Sequence, residues 1–159
     1  MIKAIFKGLI VATAILGGSA VAAQAAPLQL DSDIFVERQK RSEDGSVSVI
    51  LAEPKTVVPG DSLVFVVKYK NVGAEAASDF AVTNPMPKAV RYAGSANGLE
   101  LASVDGGKTY GFLSALKVKN ADGTDRAASY ADVTHIKWNL KQILAPGQGG
   151  KLVFRGVVK

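Results

Sequence analysis

The sequence predicts an all-β fold, an antiparallel β-sandwich of about seven to nine strands. Three observations carry that expectation. From residue 45 onward apolar and polar residues alternate in short runs, turns rich in Gly and Pro separate those runs about every ten residues, and no window past the N-terminus sustains a helical period. Missing crossover helices exclude a parallel α/β sheet. At 159 residues, 48% hydrophobic and 21% charged, the chain has the size and mixture of one globular domain.

The first stretch, Met1–Ala26, reads as a cleaved signal peptide. Lys3 and Lys7 give a positive start, Gly8–Gly18 an apolar run, and Ala23-Gln24-Ala25 a small-residue cleavage site after which the mature chain begins near Pro27. A membrane anchor fits less well, because the apolar run falls short of the roughly 20 residues a spanning helix needs and no stop-transfer charges follow. Removing Lys3 and Lys7 lowers the formal net charge from +5 to +3, too mild an excess to direct the choice of a partner. With no cysteine, the chain has no disulfides, thiolate metal sites, thiol nucleophiles or lipid-accepting cysteine.

Residues 27–44 read as a polar N-terminal arm with room for one edge strand around Ile34-Phe35-Val36. Arg38-Gln39-Lys40-Arg41 is flanked by Glu37 and by Glu43-Asp44, the pattern of a solvated mixed-charge segment rather than a nucleic-acid patch. The domain is expected over 45–159. Its first strand is Ser46–Leu51. Pro59, Gly60 and Asp61 form a turn, with Pro preset at a corner and Gly free to take positive φ. Leu63–Lys70 follows as the strongest strand, with Leu63, Phe65, Val67 and Tyr69 on the inward face. Asn71-Val72-Gly73-Ala74 breaks it. Asp79–Asn84 is next, stopped by Pro85 and Pro87, which have no N–H to give a ladder. Val90–Ala93 is short and extended, and Leu99–Val104 and Thr109–Phe112 flank the turn Asp105-Gly106-Gly107. Leu116–Lys119 is a further candidate strand, while Ala115–Lys119 or Asp125–Ala131 could hold at most a helical turn or two. Val133–Leu140 and Leu152–Val158 close the domain around the Pro146-Gly147 turn. The expected core is Phe65, Val67, Trp138, Leu140 and Phe154, with Trp138 at its centre.

Val58-Pro59-Gly60-Asp61-Ser62-Leu63-Val64-Phe65, Asn71-Val72-Gly73, Val82-Thr83-Asn84-Pro85-Met86-Pro87, Ile136–Leu140 and Leu144-Ala145-Pro146-Gly147-Gln148 together resemble the DUF11-type bacterial immunoglobulin-like domain. The resemblance spans Val57–Tyr92 and Val133–Val158. It departs at Asn84, where the family carries aspartate, and at the longer connection 94–131. It implies an immunoglobulin-like sandwich of the bacterial surface, here in single copy. Ser103–Tyr110 is similar to an Asp-box, which implies a structural turn built on Asp105 and Gly107.

Candidate chemistry is sparse. His135 is the sole histidine, which leaves no zinc set and no triad, so a surface histidine is expected. Asp31, Asp33 and Asp44 are too scattered for an EF-hand loop, although Asp31-Ser32-Asp33 could contribute to a weak surface ion site. Asn71 and Asn139 with Lys68 and Lys137 raise a Lys–Asn isopeptide cross-link, against which stand the solvent-facing positions of the lysines. No catalytic, metal or cofactor-binding residue is expected. The function expected is a non-enzymatic structural or interaction module of the cell envelope, periplasmic or extracellular. Its partners would be an envelope protein, a glycan or itself, with no nucleic acid and no membrane span after signal cleavage. Two alternatives stand beside it: a surface-fibre subunit assembling through Leu28–Arg41, and a carbohydrate-binding module stacking sugars on Tyr92, Tyr110 or Tyr130.

Overall fold

The structure is a computed structural model in which residues 11–14 and 28–159 are described. The expected signal peptide, Met1–Ala26, lies outside the described residues except for β1 (Val11–Ala14). From residue 28 the chain forms ten strands in antiparallel sheets of five, three and two, and no α-helix occurs among the described residues. In chain order they are β2 (Leu28–Arg41), β3 (Val47–Ala52), β4 (Ser62–Asn71), β5 (Phe80–Pro85), β6 (Val90–Ser95), β7 (Leu101–Ser103), β8 (Lys117–Lys119), β9 (Asp125–Ala127), β10 (His135–Leu140) and β11 (Gly149–Val158). The largest sheet runs β3-β2-β4-β11-β6 and the second β5-β10-β7, with β1 added along the outer side of β5; β8 and β9 form a separate hairpin.

Alternation along β4 sets the core. Leu63, Phe65, Val67 and Tyr69 are buried, while Lys68 and Lys70 point to solvent. Val64, on the face expected to be wet, is buried too, because Phe35 of β2 and Arg155 of β11 flank it in register. β11 lies beside β4 with Phe154 opposite Phe65, the two rings stacked with centroids 4.5 Å apart. Phe154 also reaches Trp138 of the second sheet at 5.9 Å, and Tyr69 meets Phe80 edge-on at 5.7 Å, so one core joins the two larger sheets. Fully burying a ring such as Phe154 contributes about 2–3 kcal/mol. Of the expected core residues, Phe65, Val67, Trp138 and Phe154 are buried, and Leu140 packs half-buried against them.

Close approach explains the glycine at the start of β11. A Cβ on Gly149 would sit 2.1 Å from the backbone oxygen of Tyr69. Buried Asn71, at the end of β4, donates its amide to Glu75 O and Leu144 O and accepts from the Gly73 N–H, tying three chain segments together. No lysine is among those partners, so Asn71 serves as a backbone clamp.

The chain departs from the sequence expectations in four places. Residues 28–41, read as a polar arm, form the 14-residue strand β2 between β3 and β4. Its charges are matched across the sheet surface by Asp33–Lys68 and Glu37–Arg155 ion pairs, so polarity and pairing coexist. Thr109–Phe112 forms only a single bridge, Gly111 to Ala102, in place of a strand. The two candidate helical segments are mostly strand, β8 falling in the expected strand Leu116–Lys119 and β9 in Asp125–Ala131, with the Asn120–Gly123 turn between them. Helical turns among the described residues are confined to single 3-10 turns at Leu113–Ala115 and Tyr130–Asp132. Lastly, the centre of the aromatic cluster is Phe154 rather than Trp138, since Phe154 meets Phe65, Tyr92 and Trp138.

Candidate functional site

Three local constructions gather the distinctive polar side chains. The first is the turn at Asp105. Its carboxylate accepts the N–H groups of Lys108 and Thr109 at 3.0 Å, the Thr109 hydroxyl at 2.6 Å and the Ser103 hydroxyl at 2.7 Å. Those hydrogen bonds, the Thr109 hydroxyl foremost, hold the carboxyl well below the usual carboxylate range. Gly106 and Gly107 both take positive φ, and a Cβ on Gly107 would press on the His135 ring at 3.3 Å. His135 is half-buried under this turn beside Thr134, and Lys137 lies over the Tyr110 ring at 5.1 Å. The turn is thus an internally bonded network: Ser103, Lys108 and Thr109 donate to the carboxylate, the Gly107 N–H donates to Ser103 Oγ, and the Gly106 N–H ties the turn to Thr134 Oγ1.

The second construction surrounds Glu100. Tyr92 and Ser95 both donate hydroxyl hydrogen bonds to its carboxylate, and Tyr130 packs edge-on against Tyr92 at 5.4 Å. Burial, reinforced by the bond to Glu100, pushes the Tyr92 phenol far above its ordinary range. Tyr92 is only 2% exposed, which removes it as a stacking platform; Tyr130 is 52% exposed. Among the described residues no group of three His, Cys, Asp or Glu side chains is arranged to hold a metal ion.

The third construction is the hairpin of β2 and β3. β2 pairs with β4 only over Leu28–Val36 and with β3 over Val36–Arg41, so residues beyond Val36 run past the body of the sheet. The Pro59-Gly60-Asp61 turn fastens its root. Gly60 takes φ 94°, the Asp61 N–H closes the turn on Val58 O at 3.0 Å, and the Asp61 carboxylate accepts the Val58 N–H. Both Arg38 terminal nitrogens also donate to that carboxylate, which lowers its pKa and makes a bidentate clamp between hairpin and body. The Pro146-Gly147 turn has a parallel role at the other end of the sheet, where the Gly147 N–H donates to Asn71 O at 2.8 Å.

Beyond the clamp, Val47, Val49, Ile50 and Leu51 are between 40% and 63% exposed. This apolar edge went unread in the sequence, where the same alternation signals a buried face; the available sign was the missing second layer, which no local pattern encodes. No helix among the described residues is long and apolar enough to cross a membrane. Protein-family models, curated proteins and solved structures yield no match to this chain.

Proposed function

We propose that the chain is an exported, non-enzymatic immunoglobulin-like β-sandwich that works in the bacterial cell envelope as a structural and interaction module. The observation that carries this reading is the engagement of Asp105, Glu100, Asn71 and Asp61 in turn-closing and segment-tying hydrogen bonds. Each distinctive polar group already has partners within the fold, and the surface left over is strand edge and sheet face. The core shared by β4, β6 and β11 with β5, β7 and β10 supports a sandwich reading. The leader pattern at Met1–Ala26 supports export, and the DUF11-type resemblance supports an envelope role.

A fibre built by donating Leu28–Arg41 would require β2 to leave its place between β3 and β4, where it pairs along its whole length. The envelope reading is tested by expressing the full chain in a bacterial host and fractionating the cells. The expected product starts at Ala26 or Pro27 and is recovered from periplasm or medium. A cytoplasmic product that retains Met1, or purified protein that turns over a glycan, overturns the reading.

A further inference from the structure

β3 stands apart from the other strands of its sheet. Val47, Val49 and Leu51 share one face and Ile50 lies on the other, all of them exposed, and β2 is the sole hydrogen-bonded neighbour of β3 among the described residues. Edge strands are ordinarily protected by a charge, a proline, a bulge or a covering segment. Val47-Ser48-Val49-Ile50-Leu51-Ala52 contains no charge, glycine or proline. The opposite edge of the same sheet, β6, carries exposed Arg91, a register irregularity against β11, and the Tyr130 ring packed on Tyr92. β5, the outer strand of the second sheet, ends in Pro85, which has no N–H to offer a further strand.

The backbone of β3 is in phase for a further strand. At the hairpin end the Ser42 N–H donates to Ser46 O at 2.9 Å, which makes Ser42 and Ser46 a hydrogen-bonded pair. Alternation along the ladder then makes Lys40–Ser48 and Arg38–Ile50 the bonded pairs. The N–H and C=O groups of Val47, Val49 and Leu51 therefore point away from β2, toward the free edge. The apolar residues of β3 with the most exposed side chains are the same ones that hold open backbone groups.

We propose that β3 pairs antiparallel with β3 of a second copy across a two-fold axis at Val49, joining two five-stranded sheets into one. In this register Val49 lies opposite Val49 of the second copy and Val47 opposite its Leu51, so all three outward-bonding residues meet outward-bonding residues. On the other face Ser48 lies opposite Ile50. The strand is its own complement, and the interface closes at two copies. Arg38, Lys40 and Arg41 do not oppose it: the two β2 strands are three spacings apart, about 14 Å, beyond the roughly 8–10 Å screening length at physiological salt. One strand pair buries less than the roughly 1,200 Å² of a standard interface, so the dimer depends on concentration. The pairing deepens the interaction-module reading by naming its partner, and it is independent of export.

The absence of native cysteine makes the test direct. The full chain is expressed, and its processed product is purified and its N-terminus read by mass spectrometry. Light scattering is then followed up to about 1 mM, where weak interfaces assemble. The expected result is a monomer that becomes a dimer as concentration rises, and a Val49→Lys variant that stays monomeric with unchanged melting. Val49→Cys should give a covalent dimer under mild oxidation, since facing residues in a bonded pair lie about 5.5 Å apart at Cα, within disulfide reach. Val58→Cys, exposed on the Pro59 turn, should remain monomeric. A wild-type chain monomeric throughout, a dimer that survives Val49→Lys, no cross-link at residue 49, or growth past two copies overturns the two-fold pairing. An unprocessed N-terminus counts against export alone.

Discussion

β3 and β4 carry the same kind of apolar alternation and end in opposite surroundings. Phe65 and Val67 on β4 are at most 3% exposed, whereas Val49 and Leu51 on β3 are 63% and 53% exposed. β4 has a strand on each side and contributes to the core shared with the second sheet, while among the described residues β3 has β2 on one side and no strand on the other. Alternation therefore specifies an extended strand with two distinct faces, and burial is decided by what topology places beside and across it. The two regions should respond differently to substitution.

The sharpest contrast comes from the body. Phe154→Ala removes the ring that meets Phe65, Tyr92 and Trp138, and should destabilise the fold by about 3–5 kcal/mol. Urea unfolding followed by fluorescence of Trp138, the only tryptophan, measures it. Asn71→Ala should cost about 2 kcal/mol, because the Gly73 N–H loses its acceptor and Glu75 O and Leu144 O lose a side-chain donor. Thermal melting checks that value, and a loss within experimental error would mean that the 71–77 and 144–148 segments hold without the clamp.

Asp105→Asn gives a pH signature in place of a uniform loss. The folded carboxyl titrates below its unfolded value of about 3.9, so its stabilisation is complete above that value and is lost as pH falls through the folded pKa. The gap between wild-type and variant urea midpoints should be widest at neutral pH and narrow in acid. A gap that is constant with pH would assign the effect to shape rather than charge.

Smaller effects test the hairpin. Arg38→Ala should speed amide exchange over residues 37–51 while β4 amides keep their protection, since it releases the clamp on Asp61 and leaves the core alone. Equal acceleration in β4 would erase the distinction between the regions. Val49→Ser, at 63% exposure, should change the stability of the dilute monomer by less than about 0.5 kcal/mol; a loss as large as that of Asn71→Ala would show that the edge is covered within one chain.

What the sequence made legible follows the same division. β4, β10 and β11 were readable because their faces alternate between strong extremes, Phe65 against Lys68 and Trp138 against Lys137. The Asp105 turn was readable because its donors lie within four residues of the carboxylate. β2 was not, because Asp33 and Glu37 resemble a solvated arm until Lys68 and Arg155, distant in sequence, are brought beside them. The hairpin β8–β9 is built from three-residue strands, too short for any period to register. The candidate docking edge was half legible. The strand could be read from Ser46–Leu51, and its exposure could not, since exposure depends on the layer that never arrives.

The position of β11 sets the timing of folding. It is the last strand in chain order, yet it fills the place between β4 and β6 in the largest sheet. A chain emerging from the ribosome holds β4 and β6 early, with nothing to bridge them until Gly149–Val158 follows. Its core cannot close piecemeal, and the long-range pairings that close it make folding slow. Folding therefore waits for Gly149–Val158 to emerge, and the chain ahead of it stays threadable for as long as its centre is missing.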